Sequence, residues 1–287
     1  MPLTCRAVGH LTRTRMFHSV QLLVESKGGI KNEISRLREL DALLTNNSIP
    51  PTYIREIEFG TIDSNLRPWF SNESLPRVLN SLTRLKVFIL TGPFPNLAWA
   101  QFNEEVKRAC IRASVLPTLE NLELSSIMNL PAAFITEAVQ ITRLYVIDVR
   151  LIVGDPISFA RSEPQSNLGL RSLTYQERDE TPRFLLQQVT QPGCRFDFSK
   201  LRHLNFISGR DGELIVAWSI AALANESLQE FYLPPQYGQW PPLTFLLELY
   251  ALLTVSPSLD VILQINTFSS CATWTSVFKR SLVSTSY

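Results

Sequence analysis

The chain has 287 residues, of which 45% are hydrophobic and 18% are charged. This composition is typical of a globular protein and excludes a disordered chain. The 27 basic and 26 acidic residues leave a net charge of +1, so no bulk electrostatic attraction to nucleic acid or to an anionic membrane is expected. Cysteines that are far apart and form no C-x-x-C pair, in a chain without an export signal, favour reduced, mostly buried thiols. The even number of cysteines leaves disulfides as the alternative. The four cysteines are Cys5, Cys110, Cys194 and Cys271.

The sequence carries no sign of export or of membrane insertion. Four basic residues between positions 5 and 15 interrupt any apolar run of the kind a signal peptide needs. The longest apolar segments, 214–224 and 243–255, are shorter than the roughly 20 residues that cross a bilayer. We therefore predict a soluble protein of the cytoplasm, the nucleus or both, with no nucleic-acid or membrane partner.

A short frame of the form L-x-x-L-x-L recurs along the chain, and Leu119, Leu122 and Leu124 are its clearest example. Alternate side chains of a strand face opposite sides, so Leu122 and Leu124 share one face while the residues between them occupy the other. The intervals between frames range from 25 residues (119 to 144) to 37 residues (17 to 54). Frames with apolar residues at all three places begin at Phe17, Ile54, Leu85, Leu119, Leu144, Leu170, Leu201 and Leu228. A ninth frame, at Leu259, fails at its third place.

Apolar stripes at helical spacing lie between most of these frames, which predicts a helix after most strands. The segment 154–169, with two prolines, is predicted to be an irregular loop. Pro131 and Pro182 fall where the first turn of a helix is expected. The predicted helices cover 34–44, 75–82, 98–113, 130–138, 182–189, 214–224 and 243–255.

Strand and helix alternating at this interval predict an α/β leucine-rich-repeat solenoid, with parallel strands on the concave face of a horseshoe and helices on the convex face. An ordinary α/β domain is the alternative. The horseshoe is expected to be irregular, because the place usually held by Asn or Cys is Pro93 in one repeat and Ile127 in the next. We assign 1–48 to an N-terminal helical cap, 49–268 to the solenoid and 269–287 to a C-terminal cap or tail.

Two N-terminal stretches, C-R-x-x-x-x-L-x-R-x-x-M-F-H-S-V-Q-L and I-P-P-x-Y-I-R-E-I-E-F, flank an amphipathic helix. This order resembles the fungal F-box/leucine-rich-repeat proteins over roughly a fifth of the chain, and the looser repeat pattern extends further. The matching residues are Cys5, Leu11, Phe17, Val20, Leu22, Pro51, Tyr53, Arg55, Glu56, Ile57 and Phe59.

The resemblance implies the substrate-recognition repeat domain of an F-box subunit of a cullin-RING ubiquitin ligase. The L-P-x-E-L-type helices with which an F-box docks on the ligase adaptor do not occur ahead of Cys5, so residues 1–48 correspond at most to the end of an F-box. The adaptor is therefore an expected partner only if an F-box lies upstream. As given, the chain is expected not to bind the adaptor stably, and its protein target is not specified by the sequence.

No cluster of residues in the sequence predicts catalysis, a metal site or a cofactor. His203 lies on a predicted strand without a second ligand at metal spacing, and an exposed polar position is the simpler interpretation. Cys194 follows Pro-Gly and precedes Arg195, but no motif of a cysteine enzyme surrounds it. The segment 209–213 lacks the spacing of a calcium loop and the lysine of a phosphate loop. We therefore predict no enzyme, no cofactor and no metal.

The remaining candidate is the concave face of the predicted sheet, since solenoids generally bind protein ligands there. An ordinary solvated sheet face is the simpler alternative. Two further functions stay open, a leucine-rich-repeat regulator of another enzyme such as a GTPase, and an enzyme without a recognisable motif. The predicted partner-binding residues are Glu56, Glu58, Val87, Ile89, Asn121, Glu123, Val146, Asp148, Ser172, Thr174, His203, Asn205, Glu230 and Tyr232.

Overall fold

The computed structural model describes residues 12, 14–24, 30–61, 70, 72–93, 97–138, 140–152, 169–176, 197–207, 211–232, 260–266 and 273–278. The chain divides into two compact units. The first unit consists of Met1–Ile141 and Tyr145–Leu168, and the second of Thr142–Leu144 and Gly169–Tyr287.

The first unit alternates strands and helices. Its strands are β1 (Ser19–Val24), β2 (Glu56–Thr61), β3 (Val87–Thr91), β4 (Leu97–Ala98), β5 (Asn121–Ser125), β6 (Ile127–Met128), β7 (Leu130–Pro131), the last part of β8 (Arg143–Ile147) and β9 (Leu151–Ile152). Its helices are α1 (Ile30–Thr45), α2 (Ser74–Ser81), α3 (Glu104–Ser114) and the single turn α4 (Ala133–Thr136), with 3-10 turns at Pro51–Tyr53 and Trp99–Gln101. Strands β1, β2, β3 and β5 are parallel neighbours in sequence order.

The apolar places of the frame form the core of this unit. The strand register aligns Ile57, Phe88 and Leu122 in one row across three strands, and all three are 0% exposed. Aromatic rings fill the space behind this row, where Phe134 lies 5.6 Å from Trp99 and 6.3 Å from Phe88, measured between ring centroids. The alternation in the sequence is therefore realised as one buried and one exposed side of each strand.

Polar groups fix the helices of the first unit. The side chain of Asn103 accepts a hydrogen bond from the Val106 N–H at 2.7 Å, which caps α3 at its first turn. Arg77 on α2 donates two hydrogen bonds to one carboxylate oxygen of Asp41 on α1, at 2.7 and 2.9 Å. The Asp41 carboxylate is mostly buried, so this ion pair ties the two helices at a fixed point.

A shared pair of backbone hydrogen bonds recurs where β2, β3 and β5 begin. The carbonyl oxygen of Arg55 accepts from the N–H groups of Lys86 and Val87, at 2.6 and 3.0 Å. The His18 carbonyl accepts from two residues of the next repeat in the same way, and so does that of Lys86. Successive frames are therefore structurally equivalent, although the helices between them differ in length.

The second unit repeats this arrangement. Its elements are the beginning of β8, β10 (Ser172–Gln176), β11 (His203–Ile207), β12 (Glu230–Tyr232), β13 (Asp260–Asn266), β14 (Thr273–Phe278), the helix α5 (Asp211–Leu223) and a 3-10 turn at Phe198–Lys200. Strands β10 to β13 are parallel neighbours in sequence order, whereas β14 pairs with β13 in the antiparallel sense. The carbonyl oxygens of Thr142, Arg171 and Arg202 each accept two N–H groups of the following repeat.

A side-chain hydroxyl caps the frame in the same manner in both units. Thr118 Oγ1 donates to the carbonyl oxygen of Leu85 at 2.7 Å, and Ser227 Oγ donates to that of Leu201 at 2.7 Å. In each case the hydroxyl residue precedes the first apolar residue of the next frame. The bond satisfies a carbonyl at the bend into the strand, where a polar backbone group would otherwise lack a partner.

The mixed α/β class and the parallel strands in sequence order are confirmed. Predicted helices near 34–44, 75–82 and 214–224 are present. The predicted helix 98–113 is wrong in its first part, because Ala98 belongs to β4, a 3-10 turn covers Trp99–Gln101 and α3 begins only at Glu104. The prediction for 130–138 is wrong in part, because residues 130 and 131 form β7 and only one helical turn follows. The predicted helices at 182–189 and 243–255 and the predicted loop 154–168 lie outside the described residues. β14 falls in the segment assigned to a cap or tail, where no strand was predicted.

The frame predicted at Leu144 is shifted by three residues. Ile141, Leu144 and Val146 are the buried residues, at 1%, 3% and 0% exposure, and they match the spacing of the other frames. Val146 and Asp148, at 0% and 8% exposure, are therefore not on the exposed side of the strand, contrary to the sequence prediction. The interval from Leu119 to this frame is only 22 residues, because the single turn α4 replaces a longer helix.

Candidate recognition surface

The exposed side of β2, β3 and β5 in the first unit carries six of the predicted partner-binding residues. The register places Glu58 beside Ile89 and Ile89 beside Glu123, in one row across the three strands. A second row consists of Glu56, Val87 and Asn121. All six side chains are partly exposed. We call these two rows the acidic–apolar face.

The acidic–apolar face contains carboxylates without basic side chains among them. Strands β1, β2, β3 and β5 include no lysine or arginine. Glu56 lies 3.6 Å from His18 Nε2, whereas Glu58 and Glu123 form no ion pair with any residue that the structure describes. The nearest lysine in the sequence, Lys86, is engaged with Glu120 at 2.6 Å at the start of the strands.

The environment of Glu123 opposes its ionisation. Burial raises the pKa of the Glu123 carboxyl, and the negative charge of Glu58 raises it further. Tyr145, 37% exposed on β8, has its pKa raised by burial and then by the charge of Glu123. Because the shift at Glu123 comes from desolvation and from like charge, it indicates that this carboxylate lacks a compensating cation.

A Glu123→Gln substitution is expected to stabilise the protein at neutral pH and to change little near pH 4. The folded-state pKa of Glu123 is raised, so the protonated carboxyl favours the folded state. This contribution to the free energy of unfolding is fully present below the pKa of glutamate in the unfolded chain, about 4.3. That stability is lost as the pH rises through the folded-state pKa, whereas glutamine stays neutral throughout. Urea unfolding of wild type and variant at both pH values checks this prediction.

Glu105→Gln, at an exposed position of α3, is the control for this measurement. If Glu123→Gln raised the free energy of unfolding equally at both pH values, the charge of Glu123 would not be the cause. If Glu123→Gln lowered the free energy of unfolding at neutral pH, the Glu123 carboxylate would have a favourable partner in the folded protein.

The second unit has a polar exposed side of its own. His203 Nδ1 lies 3.0 Å from Glu230 Oε2 across β11 and β12, and Ser172 is beside His203 in the register. This order of hydroxyl, imidazole and carboxylate is that of a hydrolase triad. The His203 and Glu230 side chains are 46% and 57% exposed, however, and such a triad acts in a site from which water is excluded. We interpret the pair as a solvent-exposed hydrogen bond on the surface, which becomes an ion pair only when His203 is protonated.

The described part of the chain shows neither a metal site nor a reactive thiol. No group of three or more His, Cys, Asp or Glu residues there is placed to hold a metal ion. Cys110 is fully buried, and burial raises the pKa of its thiol, so this thiol is not a nucleophile. No helix within the described ranges is long and apolar enough to span a membrane.

The predicted partner-binding residues thus fall into three groups. The six on β2, β3 and β5 are brought together on the acidic–apolar face, and Ser172, Thr174, His203, Asn205, Glu230 and Tyr232 lie on the strands of the second unit. Val146 and Asp148 are buried. Tyr145 was missed, although the alternation about Leu144 and Val146 would have identified it.

No protein-family model, no curated protein and no solved structure matches this chain. The similarity to fungal F-box/leucine-rich-repeat proteins therefore stays a prediction from the N-terminal residues. The functional conclusion depends on the geometry of the exposed strands.

Proposed function

We propose that this protein is a non-enzymatic protein-interaction module, whose repeats form an irregular leucine-rich-repeat horseshoe. It is similar in role to the substrate-recognition repeat domain of an F-box subunit of a cullin-RING ubiquitin ligase, acting in the cytoplasm, the nucleus or both. The observation that carries the proposal is the acidic–apolar face, where partly exposed Val87 and Ile89 lie beside Glu58 and Glu123. These two carboxylates form no ion pair with any residue that the structure describes.

The strands beneath this face are suited to rigid recognition. Their opposite side packs a core in which Phe88, Leu122 and Phe134 are 0% exposed, so the backbone that carries the exposed side chains is held in place. A surface that holds its geometry before binding does not lose backbone freedom on association. Exposed apolar side chains next to charged ones are typical of protein-binding patches.

The repeated hydrogen bonds support the repeat part of the proposal. In each unit, the carbonyl oxygen that precedes one strand accepts two N–H groups of the next repeat. Each repeat therefore adds a strand in the same way, and extended surfaces of this kind are what solenoids use for binding. In this proposal the repeats select the protein target, and F-box helices upstream would be needed to engage the ligase adaptor.

Affinity capture from cells tests the proposal with a matched pair of variants. Val87→Asp/Ile89→Asp alters the acidic–apolar face, and Asn80→Asp/Gln101→Asp adds the same two charges at exposed positions of helical segments. We expect the face variant to lose proteins that wild type and the control variant both retain. The milder Ile89→Thr, which keeps a β-branched side chain, repeats the test if the aspartate variant does not fold.

Retention of every captured protein by the face variants would contradict the proposal. The identity of the lost proteins separates two functions. Ligase components or their targets favour the F-box role, and a small GTPase that depends on the same face would favour a regulator of that enzyme.

A further inference from the structure

We propose that the acidic–apolar face of the first unit binds a basic segment of a partner protein. A lysine or arginine of that segment is held between Glu58 and Glu123, and the apolar side chains beside it pack on Val87 and Ile89. This inference deepens the proposed function and rests on it, because it names the chemistry of the partner that the face selects.

The geometry suits one cationic side chain. Glu58 and Glu123 lie on the strands to either side of β3, with Ile89 between them in the same row. Two strand spacings separate their Cα atoms by about 9–10 Å. A guanidinium group with five N–H donors, or an ammonium group with three, can donate to both carboxylates from above Ile89.

The charges of the face favour this partner over others. β1, β2, β3 and β5 contribute Glu56, Glu58 and Glu123 and no lysine or arginine. Of these three carboxylates, only Glu56 has a basic group at ion-pair distance among the described residues, and that group, His18, offsets its charge only when protonated. An anionic ligand such as nucleic acid would be repelled, and a cation relieves the repulsion between the two central carboxylates.

A metal ion fits the same carboxylates less well. Calcium binds oxygen ligands at about 2.3–2.6 Å and takes six to eight of them. Across the row, the aliphatic side chain of Ile89 separates the two carboxylates, and the neighbouring row consists of Glu56, Val87 and Asn121. None of the described residues is grouped to hold a metal ion. The apolar centre of the face is thus suited to a cationic side chain with a hydrocarbon stem, which can lie along Ile89 while its charged end reaches the carboxylates.

Selection of random peptides displayed on phage, with the full-length chain as bait, tests this inference. We expect the recovered peptides to be enriched in lysine or arginine next to apolar residues. Synthetic versions of these peptides should bind Glu58→Gln/Glu123→Gln about ten-fold more weakly or worse, the loss expected from one charge-assisted hydrogen bond. Glu105→Gln/Glu226→Gln, which removes two exposed carboxylates elsewhere, should bind as wild type does.

Salt supplies a second readout with the same peptides. Raising the salt from about 0.1 M to about 1 M, which shortens the Debye length from about 10 Å to about 3 Å, should weaken binding to wild type more than to Glu58→Gln/Glu123→Gln. An equal effect on both proteins would show that the two carboxylates do not carry the recognition.

The outcomes separate this inference from the proposed function. Peptides that require Ile89, judged with Ile89→Thr, but lack basic residues would overturn the inference and leave the proposed function standing. The same holds for basic peptides that bind Glu58→Gln/Glu123→Gln as tightly as wild type. Failure to recover any peptide that depends on Ile89, Glu58 or Glu123 would count against both.

Discussion

Replacing Phe134 with alanine is expected to lower the free energy of unfolding by about 3–5 kcal/mol, one of the largest losses for a single side chain. Phe134 is 0% exposed, and its ring lies 5.6 Å from that of Trp99 and 6.3 Å from that of Phe88. Removing the ring leaves a cavity between the strands and the turn before α3. Urea unfolding followed by tryptophan fluorescence measures the change.

Phe134→Leu serves as the control, because it keeps most of the buried volume and should cost clearly less than the alanine variant. A loss below about 1 kcal/mol for Phe134→Ala, the size of an average substitution, would show that this ring is not part of a packed core. In that case the aromatic cluster could not be what holds the acidic–apolar face in place.

Leu122→Ala is expected to cost about 2–5 kcal/mol, whereas Glu123→Ala should change the free energy of unfolding by no more than about 0.5 kcal/mol. The two residues are adjacent on β5, but Leu122 is 0% exposed and Glu123 lies on the partly exposed side. The urea midpoints of the two variants, measured under the same conditions, provide the comparison.

Equal losses at the two positions would show that the side chains of β5 do not face as described. A large loss for Glu123→Ala alone would mean that the exposed side of the sheet is covered by another part of the chain. Either result would remove the basis for treating this side as a binding surface.

Much of the strand pattern could be predicted from the sequence because burial on one side enforces a period of two. Leu119, Leu122 and Leu124 fit only one arrangement, since the charged Glu123 stands between the last two. Near residue 144 the segment is ambiguous, because Leu144, Ile147 and Val149 satisfy the same spacing as Ile141, Leu144 and Val146. Packing in the folded chain buries the set that begins at Ile141. The local sequence alone does not determine which of the two sets is selected.

The short elements could not be predicted for a different reason. Two-residue strands such as β4, β6, β7 and β9 are too short to show any period. They exist because the chain runs beside an equivalent segment of the next repeat. Pro131, at a typical first position of a helix, instead lies in such a strand. Pairing with β9 therefore determines the conformation of this segment, because its local preference is weak.

The candidate site was predicted residue by residue but not as an arrangement. Alternation was enough to place Glu58, Ile89 and Glu123 on exposed positions. Their alignment in one row depends on the register between strands, which is set by the hydrogen bonds at the start of each strand. The 3.0 Å contact between His203 and Glu230 depends on register in the same way.

Photocrosslinking from position 89 tests the central claim most directly. A photoreactive amino acid replaces Ile89 on the acidic–apolar face in one version of the protein, and exposed Asn80 of α2 in another. Cells expressing each version are irradiated, and the crosslinked peptides are identified by mass spectrometry. We expect protein adducts at position 89 that are absent at position 80, with a lysine or arginine near the crosslinked residue of the partner. No adduct at position 89, or the same adducts at both positions, would contradict the assignment of this face as the recognition surface.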